Sequence, residues 1–151
     1  MHDLTTDVDD SPSFALLGDG NATMQFPSKL VPLMREFYPD LLQPKTTTLP
    51  IGAAFIRALH VADSLGWKVA TDIPYENDHV APSAWMDKSE IGFEATSTTS
   101  SPVFRVPDEV AVRVRQHTFD DGYTGAVVAM RVRGIGASAA LMRNFLDDES
   151  W

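Results

Sequence analysis

The sequence contains no cysteine, which excludes disulfides, thiolate metal sites and a cysteine nucleophile while leaving the compartment open. Nowhere do apolar residues approach the roughly 20 in succession that a bilayer span requires. The opening Met1-His2-Asp3 lacks a secretion-signal pattern, so the chain reads as soluble. Basic residues are scarce as well. Twelve Lys and Arg stand against 21 Asp and Glu, a net charge of −9, which repels a phosphate backbone and argues against nucleic acid as the main partner. The familiar catalytic signatures are missing too: there is no HExxH pair for a metal, no GxSxG elbow and no GxxxxGK phosphate loop. No cofactor and no metal site are expected.

What is present is an ordinary globular composition. With 151 residues, 44% hydrophobic and 22% charged, the chain has enough apolar content for one domain with a proper core. Residues 1–49 are rich in Pro, Asp, Thr and Gly and read as an irregular arm. Phe26, Phe37, Tyr38, Leu41 and Leu42 recur between its prolines, so the arm is expected to pack across the core domain of residues 50–151. From Pro50 to Gly66, Phe55, Leu59, Ala62 and Leu65 fall on one helical face. Pro50 suits the first turn and Gly66 the left-handed position just past the end.

Trp67 to Ile73 reads as a strand, the proline-containing stretch to Pro82 as a loop, and Ile91, Phe93 and Ala95 as a second strand. The clearest β pattern follows, as Val110, Val112 and Val114 alternate with Glu109, Arg113 and Arg115. Gly125 to Arg133 is its hairpin partner across Asp120-Asp121-Gly122. A last helix is expected over residues 137–147, with Leu141, Met142, Phe145 and Leu146 inward. The expected fold class is therefore α+β, an antiparallel sheet of about four strands with two main helices on one face and the arm beside them.

If Asp120 to Gly122 centres the hairpin, facing residues sum to about 240, which opposes Glu109 to Arg131 and places Asp108 near Val132. Alternation then gathers Glu109, Arg113, Arg115, Arg131 and Arg133 on one face, opposite an aliphatic face of Val110, Val112, Val114, Val128, Met130 and Val132. Four guanidiniums on one face suit either a solvated sheet surface or a cavity wall that meets an anionic ligand. Gly134-Ile135-Gly136-Ala137-Ser138-Ala139 mimics a dinucleotide fingerprint, but only 12 residues remain after Ala139, too few for the parallel strand and acidic residue such a site needs. Free N–H groups near Ser138, with Arg131 and Arg133 behind them, still offer a place for one anionic group.

The acid/base candidates are Glu94, Asp108, Glu109, His60 and His117. Asp108 and Glu109 are neighbours on a strand and point to opposite faces, which rules out a shared-proton dyad, whereas Glu94 shares the face of Glu109. His60 borders the apolar stripe of its helix and reads as a packing residue. His117 falls in a turn, toward solvent.

His2-Asp3-Leu4-Thr5-Thr6-Asp7 with Pro12 and Phe14, Tyr38-Pro39-Asp40, Ala54-Phe55 to Ala62 with Gly66-Trp67, Glu94-Ala95-Thr96, Phe104, Pro107-Asp108-Glu109-Val110 and Val112-Arg113-Val114-Arg115 occur in an order that resembles the bacterial and plastid family called domain of unknown function family 1499. The similarity runs through nearly the whole chain in short motifs. It departs at the C-terminal segment, where the family tends to show Arg-Ser-x-Ser-Arg and Asp-x-Gly-x-Asn. Here Met130-Arg131-Val132-Arg133-Gly134 keeps the arginines and changes their partners, and Ser138 stands near the place of the Asn. Because similar proteins often carry membrane spans ahead of the Thr-Thr-Asp motif, the resemblance implies membrane association if an anchor has been removed. A complete chain implies a cytoplasmic protein.

Three readings follow. In the first, a binding domain holds an anionic or amphiphilic small molecule through Arg113, Arg115, Arg131, Arg133 and Ser138, with Glu94 and Glu109 orienting the guanidiniums. The second is a cofactor-free acid/base enzyme (hydrolase, isomerase or cyclase) in which Glu94, Asp108 or Glu109 moves a proton and an arginine stabilises negative charge. The third is a protein-interaction module. Oligomeric state is left open.

Overall fold

The computed structural model describes residues 3–16, 25–76, 79–97, 107–134 and 139–151. Alternating valines and charged residues produce the centre of the structure, a long hairpin of β7 (Asp108–Thr118) and β8 (Thr124–Arg133). Gly122, at φ 85°, supplies the left-handed residue its turn needs. β6 (Glu90–Ser97) pairs antiparallel with β7, and β3 (Lys68–Ala70) pairs with β6. The opposite side of β8 is met by two short strands end to end: β1 (Asp3–Thr5) against Arg131 to Arg133, and β2 (Lys45–Thr47) against Ala126 to Val128.

The architecture is thus α+β with an antiparallel sheet, but the sheet has six strands where about four were expected. A separate two-stranded ribbon joins β4 (Tyr75–Glu76) to β5 (His79–Val80). The extra sheet strands are three residues long, below the length at which alternation can be recognised in a sequence. Both come from the stretch read as irregular, which also contains a helix, α1 (Val31–Phe37), making three α-helices among the described residues where two main ones were expected. Within that stretch Phe26 and Leu41 are buried as expected, while Phe37 is exposed.

The helix α2 (Ile51–Ser64) lays Ala54, Phe55, Ala58 and Ala62 against the aliphatic face of β6, β7 and β8. Pro50 caps it from outside with extended backbone instead of entering the first turn, and Gly66 takes the expected left-handed position at φ 77°. Phe55 meets Phe93 edge to face at 5.9 Å, and Trp67 stacks on Phe145 of α3 (Ala139–Leu146) at 5.4 Å. These contacts close the core on one side of the sheet.

The register is shifted by two residues from the expected one: Glu109 faces Arg133, and Arg131 faces Ala111. A shift of two preserves which face each side chain takes, so the arginine face survives the correction. Asp108, expected beside Val132, lies next to Gly134, where a Cβ would sit 2.5 Å from its Oδ1.

Candidate functional site

On the polar side of the sheet the strands place long charged residues around small ones. Gly92, Arg113 and Ala129 form one cross-strand row, and Glu94, Ala111 and Arg131 the next. The small residues lower the surface enough for another segment to lie on it. Residues 7–16, following β1, take that position. The polar face is therefore an interior layer between sheet and arm.

Each guanidinium is met by the arm or by a neighbouring strand. Arg131, fully buried, gives two hydrogen bonds to Asp3, from Nε at 2.9 Å and from an Nη at 2.7 Å, and a third to the Pro12 carbonyl at 3.3 Å. The Phe14 ring lies 5.3 Å from the Arg131 guanidinium and 4.0 Å from that of Arg133. Arg133 also donates to Glu109 at 2.7 Å. Arg115 is shared by Glu90 and Asp10, and the hydrogen bond it donates to Glu90 is the main reason its pKa is raised.

Arg113 is held more loosely than the others. Asp7 and Asp10 approach it only to 3.5 and 3.7 Å, and its buried Nε finds no hydrogen-bond partner among the described residues. Burial and the nearby charge of Arg115 lower its pKa, opposed by Asp10, Asp7 and Glu90.

Beside Arg113 lies a cavity of about 490 Å³ between the arm and the β6 side of the sheet. Its charged lining comes from Asp10, Asp72, Lys88, Glu90, Glu94, Arg113 and Arg115, and its apolar lining includes Pro12, Ala15, Leu16 and Ile73. Glu94 is only 5% exposed, and one of its carboxylate oxygens accepts the backbone N–H groups of Ala15 at 3.2 Å and Leu16 at 2.7 Å. These bonds pin the arm to β6 at residues 15 and 16.

The structure brings Glu94, Arg113 and Arg115 together at the cavity and leaves Arg131, Arg133 and Glu109 outside its lining. Asp108 lies on the opposite, core face, buried and cross-strand from buried Ser97, so it and Glu94 do not meet. Ser138 falls outside the described residues. His60 is exposed on α2 where a packing position was expected. His117 lies in β7, half-buried with its ring edge-on to Phe119 at 4.7 Å, where a solvent-facing turn was expected.

The residues missed by sequence reasoning are Asp3, Asp7, Asp10 and Phe14. Acidic residues crowd the first ten positions of the chain, but the arginines that Asp3, Asp7 and Asp10 meet lie more than 100 residues away and no local pattern announces them. Among the described residues no three metal-ligating side chains cluster, and no helix is long and apolar enough to cross a membrane.

The hydrogen bond from Arg115 holds the Asp10 carboxyl below its ordinary value of 3.8, against the opposing effect of burial. A carboxyl depressed in the folded state stabilises above its unfolded pKa, and that contribution is lost as the pH falls through the lower folded value. The stability difference between wild type and Asp10→Asn is therefore expected to be constant above about pH 5 and to vanish on acidification below 3.8. Urea titrations of both proteins across that range check it. Compared with family models, with curated proteins and with solved structures, the chain matches none.

Proposed function

We propose that this protein is a binding domain for a small anionic or amphiphilic molecule, held in the cavity between the arm and the arginine face. The carrying observation is Arg113, a cation at the cavity wall with long ion pairs and an Nε that has no hydrogen-bond partner among the described residues. An anionic head near Arg113 supplies the acceptors that the two aspartates supply poorly, and an apolar body lies against Leu16 and Ile73. The volume suits a molecule of modest size.

The acid/base reading is less well supported. Glu94, the acid/base candidate that lines the cavity with Arg113, already binds two arm amides, which commits it to holding the arm. An interaction module needs no cavity of this kind. We also propose that the chain is a divergent member of domain of unknown function family 1499, on the sequence motifs alone. A structure of a relative with its Thr-Thr-Asp segment laid on another face would remove that proposal.

A thermal-shift series with acetate, hexanoate, octanoate, hexyl phosphate and octylamine tests the binding function. Hexanoate, octanoate or hexyl phosphate at about 100 times its Kd is expected to stabilise the fold by about 2.7 kcal/mol. Octylamine is expected to have no effect, and Arg113→Met to remove the response. No stabilisation by any of the anions overturns the reading.

A further inference from the structure

If the cavity receives an anion, charge bookkeeping at its polar end decides where the anion sits. Three cations, Lys88, Arg113 and Arg115, line the cavity with four carboxylates, Asp10, Asp72, Glu90 and Glu94. Asp7 adds a fifth carboxylate beside Arg113. An anion added to this set meets net repulsion, whereas one that replaces a carboxylate leaves the total unchanged.

The carboxylates differ in how firmly they are held. Glu94 is bound by two arm amides and is buried. Glu90 projects from β6 and bonds Arg115 directly across the strand pair at 2.6 Å. Asp7 uses its Oδ1 to accept the N–H groups of Asp9 and Asp10, which shapes the arm's turn. Asp72 forms no ion pair with either arginine among the described residues. Asp10 alone bridges Arg113 and Arg115 while remaining 59% exposed. A side-chain rotation toward solvent frees one Nη of each guanidinium without moving the arm's backbone, while Asp7 stays with Arg113 and Glu90 with Arg115.

We propose that Arg113 and Arg115 form a carboxylate subsite that Asp10 fills in the free protein and that the ligand's own carboxylate takes over. Asp10 is then an internal competitor, and the ligand class narrows to alkyl carboxylates whose apolar tail follows the cavity toward Leu16 and Ile73. This inference rests on the binding function proposed above and specifies its head-group contact.

The test compares wild type, Asp10→Ala, Asp10→Asn and Asp9→Ala by calorimetric titration with acetate and hexanoate. Asp9→Ala is the charge control, because it removes the same charge from an exposed side chain whose partner is Arg35, remote from the cavity lining. Both Asp10 variants leave the core intact and are expected to bind acetate and hexanoate about fivefold more tightly than wild type, the worth of a well-formed surface ion pair. Asp9→Ala is expected to match wild type. Equal affinities in Asp10→Ala and Asp9→Ala overturn the inference, and so does a gain in Asp10→Ala that octylamine reproduces. Hexanoate binding to wild type without a gain in the Asp10 variants leaves the binding function standing and removes the subsite. Acetate binding gained in the Asp10 variants, with no anion stabilising wild type, supports the subsite and removes the binding function.

Discussion

Replacing Arg131 by Met is expected to destabilise the protein by about 3–5 kcal/mol, because it removes one partner of a buried, doubly hydrogen-bonded ion pair and leaves the other unpaired. Arg131 is fully buried, and the Asp3 side chain that receives its two hydrogen bonds is only 12% exposed. The Pro12 carbonyl loses the Arg131 donor at the same time and keeps the Ser11 hydroxyl, so the arm is weakened at two points. Asp3→Asn is expected to lose less, since an amide oxygen still accepts from the guanidinium. The paired change Arg131→Met with Asp3→Leu is expected to recover most of the loss, because a buried ion pair offsets little more than its own desolvation. Urea unfolding of the four proteins checks this. If the double variant is no better than Arg131→Met, the loss does not come from the stranded carboxylate.

Phe14→Ala is expected to cost a similar amount, about 3–5 kcal/mol, for a different reason. The ring is 1% exposed and lies against two guanidiniums, those of Arg131 and Arg133. Truncation empties the space between arm and sheet and also removes both cation–π contacts. Phe14→Leu keeps much of the apolar volume and is expected to lose only about 1–2 kcal/mol. The two sites share contacts, so Phe14→Ala combined with Arg131→Met is expected to cost less than the sum of the single changes. Hydrogen exchange resolves where the loss falls. Protection of the Ala15 and Leu16 amides is expected to collapse first, while β7 and β8 keep theirs. A uniform loss across the sheet contradicts the picture of the arm as a separately opening layer.

The layout of the arginine face was legible in the sequence because strand alternation is local. Val110, Val112 and Val114 set the inward face, and everything between them must point the other way. The two-residue register error left the faces unchanged and altered the pairs, so Glu109 meets Arg133 instead of Arg131. The cavity was not legible. Its floor depends on Gly92 and Ala111 lying diagonally in successive cross-strand rows, and its roof on residues 10–16 arriving from the far end of the chain. The same distance hid the fate of the arginines. Nothing near Arg131 in sequence indicates that its partner is Asp3, 128 positions away, or that Asp10 reaches Arg115.

β1 and β2 have a further consequence. A ten-residue strand such as β8, aliphatic on one side and regular along its length, presents a template of open backbone donors and acceptors when its outer edge is bare. Here β2 takes Ala126 to Val128 and β1 takes Arg131 to Arg133, while between them the backbone N–H and carbonyl of Met130 bond to Thr6. Residues from the start of the chain thus seal the strand against a second molecule. The segment that brings aspartates to the arginines also guards against edge-to-edge aggregation, and losing it bares a sticky β edge together with a row of unneutralised positive charge.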